Sequence, residues 1–202
     1  MIRQCLTSVF RSRNWAVIGA VAAVCLQARS SSLHSTLLLS PQQYHHTVWD
    51  EAAGLSTSQI NAIMQSPDGY LWIGTAKGLY RFDGARFTLF DRHNMPGLRH
   101  QEVRALSADG ESLWIGTSAA GLIRYRNGAF QQFGRGSGLQ DLHIKFLAQA
   151  RGKLWIGTSD GLSVFNGQQI RRVFDSQIRG TVSGLSVDPA GCVWLATRYL
   201  RN

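Results

Sequence analysis

The chain has 202 residues, of which 44% are hydrophobic and 16% charged, a balance that excludes a disordered polar chain and suits a domain with a sizeable core. Glycine is abundant, 21 residues against 4 prolines, as an all-β protein with many tight turns requires. The net charge of +9 raises the question of nucleic-acid binding, but Arg3, Arg11 and Arg13 sit at the extreme N-terminus and the other arginines are scattered, with only Arg171 and Arg172 adjacent. A nucleic-acid surface needs cations clustered on one face, so no nucleic-acid partner is expected.

In chain order, the first unit is a basic stretch (residues 1–14), an apolar run WAVIGAVAAVCL (15–26) and a polar exit QARSSS. This is the layout of a secretory signal, and the apolar run falls short of the roughly 20 residues a spanning helix needs. Residues 1–28 are therefore expected to be a signal peptide ending near Ala28, or an uncleaved anchor. A polar linker (29–42) follows, and the protein is placed outside the cytoplasm, in the periplasm of a Gram-negative-type envelope. Cys5 and Cys25 fall within the signal, leaving Cys192 alone. It is expected as a small buried hydrophobe on a strand, since one cysteine makes no internal disulfide and no Cys/His spacing suggests zinc.

Next comes QYHHTVW (43–49), which aligns with later terminal strands and predicts an orphan closing strand. Beyond it the chain repeats itself. DGYLWIGT, GESLWIGT, GKLWIGT and GCVWLAT place Trp72, Trp114, Trp155 and Trp194 at intervals of 42, 41 and 39 residues. Gly74-Thr75, Gly116-Thr117 and Gly157-Thr158 complete the first three. Each of these three motifs is followed by a Gly-Leu, a short apolar strand, an Asp-Gly or Asn-Gly turn (Asp83-Gly84, Asn127-Gly128, Asn166-Gly167) and another strand. Such dipeptides between alternating apolar runs predict two-residue type I′ hairpins. In the first unit the strands read INAIMQS (60–66), YLWIGTA (70–76), LYRF (79–82) and RFTLF (86–90). Four strands every forty or so residues predict β-propeller blades at about 60–90, 102–133 and 143–174, with a partial blade at 181–197. The fold class is all-β, an incomplete propeller of three four-stranded blades plus partial ones. The repeated tryptophans are expected to pack between blades, each N–H finding a backbone acceptor.

These residues resemble the two-component regulator propeller family, whose repeats look like DGYLWIGTxxGLxRFDGxxFxxF; residues 68–90 match that pattern nearly throughout, and the resemblance extends over 43–197. It implies a sensor propeller in the periplasm, followed in such proteins by a β-sandwich, a membrane helix and an output module, commonly a histidine kinase or diguanylate cyclase. The sequence stops after WLATRYLRN, where that pattern would continue, and it is therefore expected to be a truncated product that folds marginally alone.

The function expected is that of an extracytoplasmic ligand-binding fragment without its output module. Its partners would be an unknown small molecule or polysaccharide, the remainder of a membrane sensor, and a second copy in a dimer. The alternatives are a propeller enzyme of lyase or hydrolase type, or a protein-interaction scaffold. No catalytic constellation is legible among the histidines and carboxylates, and no phosphate loop or metal-ligand cluster suggests a cofactor, so none is expected. The ligand-loop candidates are Arg92, His93, Arg99 and His100 in residues 91–100, and Arg135, Asp141 and His143 in residues 134–143.

Overall fold

The computed structural model describes residues 47–56, 59–95, 102–174, 178 and 180–198. The expected signal, the linker and most of the closing strand lie outside these residues; Thr47, Val48 and Trp49 carry no strand assignment. Every described strand belongs to the unit that contains residues 49–198.

Three four-stranded antiparallel sheets and one two-stranded sheet make up this unit, each a meander in chain order. The first holds β1 (Ile60–Gln65), β2 (Leu71–Thr75), β3 (Leu79–Phe82) and β4 (Phe87–Phe90). The second holds β5 (Val103–Ala108), β6 (Leu113–Thr117), β7 (Leu122–Arg126) and β8 (Ala129–Phe133). The third holds β9 (Ile144–Ala150), β10 (Lys153–Thr158), β11 (Gly161–Phe165) and β12 (Ile170–Val173), and the fourth β13 (Thr181–Val187) and β14 (Val193–Arg198). The first strands β1, β5, β9 and β13 contact one another in sequence and share a cavity, so the sheets are arranged as blades around a common axis.

Of the three expected type I′ turns, only Asn127-Gly128 has positive φ at both positions, 51° and 80°. Asp83 and Asn166 instead open four-residue loops. Asp83 Oδ1 accepts the N–H groups of Ala85 and Arg86, and Asn166 Oδ1 those of Gln168 and Gln169. A side-chain oxygen that folds back on the backbone two and three residues ahead stabilises this longer turn, and only the following glycine needs positive φ. Cys192 also departs from expectation: it is half-buried in the turn before β14, where its N–H bonds Asp188 Oδ1.

The blades meet through a repeated steric fit. A Cβ placed on Gly74, Gly116 or Gly157 would lie 2.6, 2.5 or 2.7 Å from a methyl of Val103, Ile144 or Val182, the β-branched residue near the start of the next blade. Those three residues are fully buried. Two positions before each glycine, and so on the same face, stands a repeat tryptophan. Trp72 packs its ring 5.3 Å from Tyr125 of the second blade, and Trp114 packs 5.1 Å from Phe165 of the third. Exposure follows the neighbour: Trp72 and Trp114 are 2% and 1% exposed, while Trp194, beyond which there is no described strand, is 56% exposed. Trp155 faces the two-stranded sheet, which has no counterpart of Tyr125 or Phe165 among the described residues, and is half-buried.

At the other end, the face of the first blade is partly covered by residues 49–56. Trp49 lies 5.2 Å from Phe82, where the other blades receive a preceding tryptophan, and Leu55 joins Ile73 and Tyr80 in a small core. Nearer the axis Ile60 and Ile63, the counterparts of buried Val103 and Leu106, are 44% and 59% exposed. Two of the strand arginines lie over aromatic rings. Arg81 sits 4.6 Å from the Tyr70 ring and Arg124 5.7 Å from Trp114, an arrangement the negative ring face favours.

The indole N–H groups find side chains rather than backbone. Trp72 donates to Ser66 Oγ (2.9 Å), Trp114 to Asp109 Oδ2 (2.7 Å) and Trp194 to Asp188 Oδ2 (3.1 Å). In the third blade the matching position is Ala150, and Trp155 Nε1 is buried without an acceptor among the described residues. The motif threonines close the next turn: the hydroxyls of Thr75, Thr117 and Thr158 donate to the carbonyls of Gly78, Gly121 and Gly161.

The glycine gap and the missing acceptor each have a measurable effect on stability, read by urea unfolding with circular dichroism. Gly116→Ala should cost about 1–3 kcal/mol by overpacking. Gly184→Ala, whose Cβ would meet only the Ala196 Cβ at an ordinary 3.5 Å, should change stability by no more than about 0.5 kcal/mol. Ala150→Asp, which supplies the third blade with the acceptor present in the second, should stabilise by about 1 kcal/mol.

Candidate functional site

Each first strand carries one residue too many for its partner. The β1–β2 register slips at Asn61, β5–β6 at Arg104, β9–β10 at Lys145 and β13–β14 at Ser183. A bulge of this kind leaves its extra residue outside the ladder and re-aims the side chain. Here the cause is the blade fit. The β-branched residue before each bulge must face the preceding blade, as must the leucine or isoleucine three residues later, and a regular strand would place these two on opposite faces.

All four bulge residues line one cavity of about 720 Å3 between the first strands, together with Ala62, Ala105, Leu106, Phe146, Leu147, Thr181, Val182 and Arg198. Arg104, Lys145 and Arg198 bring cationic groups, and Asn61, Thr181 and Ser183 bring neutral hydrogen-bonding groups; no carboxylate is among the described residues of the lining. Two of the polar side chains are already engaged. Asn61 Nδ2 donates to the Val103 carbonyl at 2.9 Å, tying the first blade to the second, and Thr181 Oγ1 donates to Ser159 O at 2.9 Å. Arg104 reaches the Glu102 carboxylate at 2.9 Å. Lys145 is half-buried and its ammonium has no hydrogen bond or ion pair among the described residues.

The loop candidates lie elsewhere. Arg92 and His93 stand side by side on an exposed turn after β4, Nε to Nε2 at 3.2 Å. Arg99 and His100 fall outside the described residues. Arg135 begins a single 3-10 turn (Arg135–Ser137) and donates to the Gln140 carbonyl. Asp141 accepts both the backbone N–H of His143 at 3.0 Å and its ring Nδ1 at 2.9 Å. None of the described candidates lines the axial cavity. Among the described residues no group of three His, Cys, Asp or Glu converges as a metal site.

Partial burial pushes the Asp141 carboxyl up, but the bonds from His143 outweigh it and hold the group below the ordinary carboxylate value. A carboxylate depressed in the fold contributes stability above its unfolded pKa of about 3.9 and loses it as pH falls through the lower folded value. Asp141→Asn should therefore be less stable than the native chain at pH 7. The difference should vanish in strongly acidic buffer, as read by urea midpoints between pH 2 and 7.

Residues 54–77 match the two component regulator propeller model, and the chain thus carries a repeat of that type across β1 and β2. No curated protein matches the chain. The extracellular domain of the putative one component system BT4673 from B. thetaiotaomicron superposes with a TM-score of 0.58 at 19% identity, over 71% of this chain and 20% of that one. Virginiamycin B lyase from Staphylococcus aureus gives 0.53 at 13% identity, over 70% of this chain and 50% of that one. The computationally designed Ika4 protein gives 0.50 at 18% identity, over 71% and 94%. The chain therefore spans a fifth of the length of the BT4673 extracellular domain. At these identities the likeness is one of fold.

Proposed function

We propose that this chain is the extracytoplasmic, ligand-binding propeller part of a signalling protein, and that its ligand lodges in the axial cavity. The observation that carries this reading is the cavity itself. Four bulges, one per blade, each turn a polar or cationic side chain toward a single space, on strands whose neighbouring residues are largely apolar. Its volume of about 720 Å3 lies within the ~300–1,000 Å3 of small-molecule sites. The two-component regulator propeller repeat at residues 54–77 supports a sensor over an enzyme, and the secretory layout of residues 1–28 supports a location outside the cytoplasm. Output by a kinase or cyclase would belong to other parts of such a protein.

The test is a thermal-shift screen of the full chain against small polar metabolites and oligosaccharides. A true ligand at a hundred times its Kd should stabilise by about 2.7 kcal/mol. Ser183→Trp, which fills the cavity from an exposed position, should melt as the native chain does alone and lose the ligand-induced shift. A shift that survives this substitution would place the ligand elsewhere and remove the reading.

A further inference from the structure

We propose that the axial cavity selects a small, multiply charged anion. The inference rests on the reading of this cavity as the ligand site, and it comes from the charge of the side chains that the bulges present.

Two adjacent blades carry a cation at the same bulge position, Arg104 and Lys145, and Arg198 on β14 adds a third to the same lining. Among the described residues the lining contains no Asp or Glu. Like charges gathered on one concave wall repel one another, and at Lys145, which is half-buried while Arg104 and Arg198 are exposed, burial weakens the screening that solvent ions would supply. Charges arranged in this way are otherwise relieved by nearby carboxylates, and one of the three is so relieved: Glu102 pairs with Arg104. Lys145 is half-buried between its neighbours without any counter-ion among the described residues.

An aqueous anion would supply the missing charge. Arg104 can turn a planar fork toward a carboxylate, sulfate or phosphate, while Lys145 supplies a compact point charge. Ser183 offers a hydroxyl on the same wall for the uncharged parts of the ligand. A concave, single-sign site with low-dielectric walls also raises the local concentration of the opposite charge. The cavity size excludes a macromolecular polyanion and fits a molecule with several acidic groups on one small frame.

Isothermal titration of the full chain tests this with three probes: citrate for carboxylates, inositol hexakisphosphate for phosphates and neutral myo-inositol as the uncharged frame. At least one anion should bind, and the affinity should fall at least tenfold from 50 to 300 mM salt. Lys145→Gln should weaken it at least tenfold, Lys145→Arg should retain it, and Lys77→Gln, on an exposed turn away from the cavity, should leave it unchanged. Urea unfolding of Lys145→Gln should match the native chain, separating lost binding from lost fold. Equal binding by the Lys145→Gln and native chains would overturn the proposal as mere surface attraction. If only the neutral frame binds, and Ser183→Trp blocks it, the anion inference falls and the cavity reading stands. If no probe binds and the wider screen also yields nothing, both fall.

Discussion

Each of the three contacts between neighbouring described sheets depends on a gap opposite a methyl group. Gly74, Gly116 and Gly157 leave room where Val103, Ile144 and Val182 arrive, at separations no Cβ could tolerate. The close approach sets the distance between blades, and the distance decides what else the interface can hold. At that spacing an indole two residues before the glycine spans the outer part of the gap, and an aromatic ring on the third strand of the next blade closes over it. The exposed Trp194 and the enclosed Trp114 stand in the same repeat motif and have the same kind of hydrogen-bond partner, Asp188 and Asp109. What separates them is the neighbour. Burial here is a property of stacking rather than of the blade.

The same fit generates the cavity. The residue that enters the glycine gap and the leucine or isoleucine three positions later both have to face the preceding blade. The strand between them absorbs one extra residue, and that residue is free of both packing and pairing. Its identity is therefore the least constrained on the inner strand: Asn61, Arg104, Lys145 and Ser183 all occupy it, whereas the position before it is always β-branched. A scaffold that needs the bulge for stacking acquires variable side chains around its axis without weakening any blade. Side-chain chemistry can change there while the fold does not.

The blades were legible because their requirements are local. Glycine in the gap, tryptophan beside it and threonine bonded across the following turn all fall within one pentapeptide and recur with it. The axial site was less legible because a bulge is defined by a partner strand. A signal was nonetheless present. In INAI, VRAL, IKFL and VSGL a branched residue and an isoleucine or leucine stand three apart, not two, which a strand can accommodate on one face only by slipping register. The polar loops carry the more conspicuous residues, Arg92, His93, Arg135, Asp141 and His143, yet their partners are mainly one another and nearby backbone. The acceptors of the indole N–H groups were within reach too, five or six residues before each tryptophan, but Ser66, Asp109 and Asp188 differ enough to hide their common role, and Ala150 breaks the series.

The fourth sheet alters the rule at its outer face. Its motif reads WLAT, so Ala196 occupies the place of the gap glycine, and Gly184 stands opposite it where the other blades have Ala62, Ala105 and Phe146. The small and the larger residue have changed strands. Their Cβ atoms share a face, so the total volume of the pair matches that of the first two blades while the hollow moves from the second strand to the first. A neighbour stacked in the common register would drive its β-branched residue into the Ala196 methyl, since the three observed separations leave no room for one. That holds for the first blade of a second copy as much as for any other blade, because it presents Ile60 there. The face of the fourth sheet is thus shaped for a residue smaller than valine at that point, or for a neighbour displaced toward Gly184. A simple head-to-tail extension of the pattern seen in the first three interfaces satisfies neither condition.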